Sequence, residues 1–183
     1  MTTTTAGNSF TQRLIGALAL DATIYEEVEA DASATSQAMA VVLLSSLAAG
    51  LGSRGLGGTT WQGMLFIAIL SLVAWAAWAL VVLQVGGRLL PEPQTRVDAG
   101  QLLRTIGFAA APGLLRILGI MSAATIPVFA VTGLWMLAAM VVGVRQALDY
   151  RSTARAIAVC ALGLVLAVTI AVVIGLFFGP AVT

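Results

Sequence analysis

The sequence has no histidine and no lysine, a single cysteine, and few charges of either sign. Without histidine, the commonest metal ligand and the usual proton shuttle near neutral pH are both missing. The lone cysteine, Cys160, lies in an apolar run and can form neither an internal disulfide nor a thiolate zinc cluster. All nine basic residues are arginine, set against eight acids, and a net charge of +1 gives no broad basic face for nucleic acid. Neither a cofactor nor a nucleic-acid partner is expected.

Charged residues make up 9% of the 183, where a soluble domain carries about 25%. Hydrophobic residues make up 60%, and the mean hydropathy is +1.01. Water does not solvate such a surface, so lipid is the expected solvent and the expected fold class is an all-α integral membrane protein. The Thr-rich leader Met1 to Gly7 lacks the basic start, apolar stretch and cleavage site of a secretory signal. Insertion is then expected to be directed by the first internal span.

A helix needs about 20 apolar residues to cross the hydrocarbon core. Five windows meet or approach that length, at 36–52, 61–85, 106–125, 127–144 and 156–178. The first lengthens if its helix begins near Ser33. The third contains Gly107, Pro112, Gly113 and Arg116 and reads as a kinked span or a re-entrant segment, with Pro127 separating it from the fourth.

The arginines decide between those two readings. Arg13, Arg88, Arg96, Arg104, Arg145, Arg151 and Arg155 fall on one set of alternating sides and Arg54 on the other. Cytoplasmic loops carry the arginine excess, so five full crossings are expected, with the N-terminus inside and the C-terminus outside. Residues 1–35 form a cytoplasmic segment. In it Phe10, Leu14, Ala17 and Leu18 share a helical face, as in a short helix lying in the membrane interface.

Five of the eight acids then crowd into Asp21 to Asp31. "DATIYEEVEAD" lacks the alternate oxygen ligands and central glycine of a calcium loop. The expectation is a charge network, with Glu26, Glu27, Glu29 and Asp31 meeting Arg104, Arg145, Arg151 and Arg155 on the same side. Gly50, Gly52 and Gly55 spell Gly-x-Gly-x-x-Gly, but a membrane helix precedes them where a dinucleotide fingerprint needs a strand. They read as a flexible external loop.

Arg116 is the sharpest single residue. In a helix beginning near Gly107 it lies about 15 Å deep at roughly 1.5 Å per residue, where a charge costs at least about 2.5–3.5 kcal/mol. It reads either as a contact for a buried anion, lipid headgroup or polar cavity, or as a side chain that snorkels past the kink at Pro112. In the last window Gly163, Ala167, Ala171, Gly175 and Gly179 recur every fourth residue, a stripe that lets helix backbones approach closely. Internal packing is its first reading and a second chain the other. Trp75 and Trp78 read as lipid- or bundle-facing bulk. Neither an acid pair within the spans nor a nucleophile beside a base is present, so an enzyme is not expected.

Three fragments carry a resemblance: "LDATIYEEVEADASATSQAMAVVLLSSLA", "LLRTIGFAAAPGLLRIL" and "GLWMLAAMVVGVRQALDYRSTARAIAVC". With a GFA-x-x-P segment and an RQAL segment before the last helix, residues 10 to 175 resemble the bacterial branch of the Yip1-domain family. The resemblance implies a five-span bundle with a cytoplasmic N-terminal segment, set in the plasma (inner) membrane of a prokaryote. Eukaryotic members are linked to membrane trafficking and small GTPases, but their N-terminal motifs are not evident here. No catalytic residue carries over. The expected function is a non-enzymatic membrane scaffold or accessory subunit that binds membrane lipids and another membrane protein or a second copy of itself. A small transporter or channel with a polar route near Arg116 is the alternative.

Overall fold

A computed structural model describes residues 7–57, 59–95 and 98–178, with the side chains of Ala167, Ala171, Ile174 and Phe178 excepted. Residues 1–6 of the Thr-rich leader, Arg96 and Gly179 lie outside the described residues. Among the described residues the chain is all helical, and no strand occurs. Five helical runs are long and apolar enough to cross a membrane: Ala34–Leu56, Trp61–Leu89, Ala99–Ile120, Thr125–Ala147 and Thr153–Phe177.

Two short helices come first. α1 (Phe10–Leu18) begins with a capping box, Ser9 accepting from the Gln12 amide while the Gln12 side chain accepts from the Ser9 amide. The chain turns at Leu20, φ 61°, and Asp21 caps α2 (Ala22–Ala30) by accepting from the Thr23 amide at 2.9 Å. The apolar face of α1 rests on the protein itself. Phe10, Leu14 and Leu18 pack on the core, Phe10 meets Phe108 with ring centroids 6.3 Å apart, and Trp135 donates to the Leu18 carbonyl at 2.9 Å. Ile15 is left exposed on its outer side. The acidic stretch is therefore a helix, and Tyr25 and Val28 on its inner face are completely buried.

α3 (Ala34–Gly52) begins at the Ser33 position and runs on into a 3₁₀ turn, Ser53–Leu56. α4 (Trp61–Val81) is capped by Thr60 and ends in wider π-type turns over Val82–Leu89. α5 (Ala99–Phe108) is capped by Asp98, which accepts from the Gln101 amide at 2.8 Å. The third of these runs thus starts at Ala99 rather than Ile106. Its first turns carry Gln101 and Arg104, which conceal it from an apolar window.

Pro112 has no amide hydrogen to donate and crowds the preceding turn. The chain responds by tightening, and Ala111–Ile120 winds as a 3₁₀ helix, long for a form that rarely exceeds three or four residues. The third run ends at Ile120 and the connection is Met121–Ala124. Pro127 lies in the first turn of α6 (Thr125–Ala147), where a missing amide hydrogen costs nothing, so it does not separate the spans. Thr125 donates to the Gly119 carbonyl at 2.6 Å and fixes that corner. α7 (Thr153–Phe178) is the last described element.

The glycines of "GLGSRG" do not form a flexible loop. Gly50 and Gly52 close α3, Gly55 lies in the 3₁₀ turn, and all three are buried. A Cβ on Gly52 would collide with the Arg116 carbonyl, and one on Gly55 with that of Gly119. Lipid tails are as apolar as leucine, so close backbone approach replaces the hydrophobic effect as the force between membrane helices. These glycines let α3 lie directly against the 3₁₀ segment.

Candidate functional site

Arg116 stands on the 3₁₀ segment with a glycine three residues away on either side, Gly113 and Gly119. Residues three apart eclipse in this winding, so Arg116 is the one side chain in that column. Its backbone lies beside Gly52 at the far end of α3, and its side chain lines hollows shared with Ser71, Trp78, Met136 and Leu164, near the middles of α4, α6 and α7. The residue as a whole is half-buried, with its Nε buried among these helices.

Three adjoining hollows meet at Arg116. The largest, about 490 Å³, opens between α6 and α7 and is lined by Phe129, Gly133, Leu137 and Leu164. A second of about 220 Å³ reaches Ser71 and Trp75, and a small inner one of about 30 Å³ reaches Ser45 and Ser46 on α3. The guanidinium sits over the Phe129 ring, 5.4 Å from its centroid. Among the described residues its side chain makes no hydrogen bond or ion pair, and its buried Nε has no partner. A desolvated cation–π contact contributes about 2 kcal/mol, whereas withdrawing an ion from water costs several kcal/mol. Phe129 offsets only part of that cost.

The second unpartnered donor is Trp78. The residue is 9% exposed, and its buried Nε1–H meets no acceptor. Gly163 on α7 leaves it room, because a Cβ there would strike the indole nitrogen. Trp75 donates to the Ile106 carbonyl at 3.4 Å, where α5 nears its break. Both tryptophans line the hollows, and Trp75 also holds the backbone where α5 ends. The site offers a positive charge, two N–H donors and serine hydroxyls, and so matches a ligand rich in acceptors. A separate cavity of about 270 Å³ beside Leu115, Pro127 and Trp135 is almost wholly apolar, with Thr132 the one hydroxyl residue in its lining and no charge.

The small-residue stripe divides. Gly163 packs internally on Trp78, while among the described residues nothing lies within 4 Å of a Cβ built at Gly175. The side chains of Ala167 and Ala171, and Gly179 as a whole, lie outside the described residues.

At the other end of the bundle the charges meet, with different partners from those expected. Arg13 binds Glu27 at 2.9 Å and Asp31 at 2.6 Å and donates to Gln37 at 3.2 Å, joining α1, α2 and α3 through one buried guanidinium. Arg104 takes backbone rather than carboxylates, donating to the carbonyls of Val28 and Glu29 at the end of α2. A cation belongs there, where a helix leaves its last carbonyls unpaired. Glu26 accepts from Gln146 at 2.7 Å. Arg145 donates to the Tyr150 carbonyl at 3.3 Å. Arg155 lies 3.7 Å from Glu92 and donates to the Pro91 carbonyl, and the Arg151 amide donates to Glu92 at 3.0 Å. Arg13 and Glu92 are outside the expected network.

These environments set opposite pH responses. The Ser33 hydroxyl, then Arg13, hold the Asp31 carboxyl down at about 2. Its contribution is present above the ordinary value of 3.8 and is lost as pH falls towards 2. Glu29 goes the other way. Burial, then the charges of Asp149 and Glu26, push it up to about 7 against the pull of Arg104. The folded state holds this proton more tightly than the unfolded chain, so stability falls as pH rises from 4.5 to about 7. Glu29→Gln should flatten the melting temperature between pH 5 and pH 8 in detergent, raising stability at pH 8 by on the order of 1 kcal/mol. The backbone carbonyl that Arg104 uses is untouched, so an unchanged pH slope would reject the assignment.

No family model, curated protein or solved structure matches this chain. The Yip1-domain likeness therefore stands on the sequence fragments alone.

Proposed function

We propose that this chain is a non-enzymatic membrane scaffold or accessory subunit, crossing a prokaryotic plasma membrane five times with its N-terminus in the cytoplasm and its C-terminus outside. The arginine alternation supports that direction, and the contacts that gather Arg13, Arg104, Arg145, Arg151 and Arg155 around α2 and the α6–α7 connection fit one cytoplasmic face. On this reading α1 lies against the bundle near the inner interface. The Yip1-like fragments point to the same arrangement.

The observation that carries the binding role is the second half of α7. Its first half packs inward through Ala156, Val159, Cys160 and Gly163. Beyond them, Leu176 and Phe177 are 80% and 78% exposed, and Gly175 faces open space. A glycine with apolar neighbours on a free membrane helix suits another helix better than lipid alone. Purification in a mild detergent should recover the protein with a stoichiometric membrane partner or a second copy of itself. Gly175→Leu should release that partner without lowering the melting temperature, since among the described residues nothing lies within 4 Å of a Cβ there.

Arg116 and its hollows favour a second reading, a small carrier with a polar route past that residue. Clean isolation as a monomer with solute flux in liposomes, lost in Arg116→Leu, would replace the scaffold by the carrier.

A further inference from the structure

We propose that the Arg116 hollow binds a membrane amphiphile with an oxyanion head, a carboxylate or a phosphate. The head rests on Arg116 and Trp78, and one apolar chain lies in the cleft between α6 and α7. This rests on the membrane reading above only in placing those helices in lipid; it is independent of any protein partner.

Three observations converge. The donors come without acceptors: the Arg116 Nε and Trp78 Nε1 are both buried and unpartnered, and both residues line the two larger hollows. A cation in a low-dielectric interior is balanced best by an anion, and N–H donors pair best with oxygens that only accept. Among the described residues no carboxylate lies within ion-pair distance of Arg116, so the chain does not supply that anion itself.

The cleft has the size and lining of a ligand site. At about 490 Å³ it falls inside the range of roughly 300–1,000 Å³ typical of such pockets. Ala130, Gly133, Leu134, Leu137 and Leu164 make it apolar away from the arginine. Gly133 marks the space left for a chain, because among the described residues a Cβ there meets nothing within 4 Å. Polar at one end and apolar along its length, the cavity matches an amphiphile rather than a free ion.

The test uses the full-length protein in detergent with four probes: radiolabelled oleate, its uncharged methyl ester, dioleoyl phosphatidic acid and inorganic phosphate. Oleate or phosphatidic acid should bind saturably at one per chain, and the tighter of the two names the source of the head. Methyl oleate should bind at least ten-fold more weakly, and inorganic phosphate alone should not bind. Arg116→Leu should weaken binding at least ten-fold while keeping or raising the melting temperature, because it removes an unpartnered, half-buried charge and leaves no carboxylate unpaired. Gly133→Leu should block binding with Arg116 intact, and it has room to do so without disturbing the fold. Equal binding of oleate and methyl oleate, tight binding of phosphate alone, failure of both anionic lipids, or wild-type binding by both variants would each overturn the proposal. Loss of a co-purifying protein would bear on the scaffold reading and leave this one standing.

Discussion

Gly52→Ala should leave little folded protein in the membrane fraction. The added methyl would collide with the Arg116 carbonyl oxygen, with the carbonyl carbon 2.9 Å away and the Phe129 ring at 3.2 Å. A side chain in that position would rotate aside, but a carbonyl in the 3₁₀ segment moves only if the segment moves. The approach is reciprocal, since a Cβ on Gly119 would lie 3.1 Å from the Gly52 carbonyl and 2.9 Å from Phe129. Overpacking of a yielding core costs about 1–3 kcal/mol; against backbone on both sides the loss should be about 3 kcal/mol or more. Gly133→Ala is the control, with nothing near its methyl, and should melt with the wild type. Denaturant unfolding in detergent reads both. A Gly52→Ala protein as stable as the wild type would place α3 farther from the 3₁₀ segment than described.

The second large effect belongs to Arg13. Its side chain is 5% exposed and serves Glu27, Asp31 and Gln37 together. Removing it leaves two partly covered carboxylates without their cation, the situation in which breaking a pair costs more than the pair contributed. Arg13→Ala should therefore destabilise the N-terminal segment by about 2–3 kcal/mol, hydrogen bonds to charged groups being worth roughly 1.5–3 kcal/mol. Limited proteolysis should then cut between α1 and α3 while the five long helices stay resistant. Arg13→Lys should recover only part of the loss, because an ammonium lacks the planar fork that reaches three acceptors from one position. Uniform resistance in Arg13→Ala would mean that α1 is held by its apolar face alone.

The long helices were legible because apolar length is a physical requirement of the bilayer and is written directly into composition. α4 and α7 begin within a few residues of their expected starts for that reason. The third span was misplaced because its first turns are polar. Asp98, a good cap three residues before Gln101, marked the true start, and a search for caps would have found it. The glycine cluster after α3 was read as a loop because a Gly-x-Gly-x-x-Gly spacing is the same whether glycine is there to bend the chain or to admit a neighbour. Only the neighbour, Arg116 and Gly119 some 60 residues on, tells the two apart. The Arg104 contacts were hidden for a related reason. Its acceptors are carbonyls at the end of α2, and every residue has a carbonyl, so no residue type advertises them. Arg116 was visible as a lone charge, but its direction followed from the winding of a segment that periodicity would have drawn as an α-helix.

That winding gives Arg116 a built-in compass. Three residues make one full turn in the Ala111–Ile120 segment, so Gly113, Arg116 and Gly119 point along a single meridian. An α-helix advances roughly 300° over the same three residues and rises about 1.5 Å per residue instead of about 2.0 Å. If one turn of the segment relaxed to the wider form, the arginine would swing by roughly 60° and the span would shorten. Pro112, the carbonyls facing Gly52 and Gly55, and the Thr125 hydroxyl on Gly119 all resist that change. They hold the bearing of the arginine that lines the hollows between the long helices.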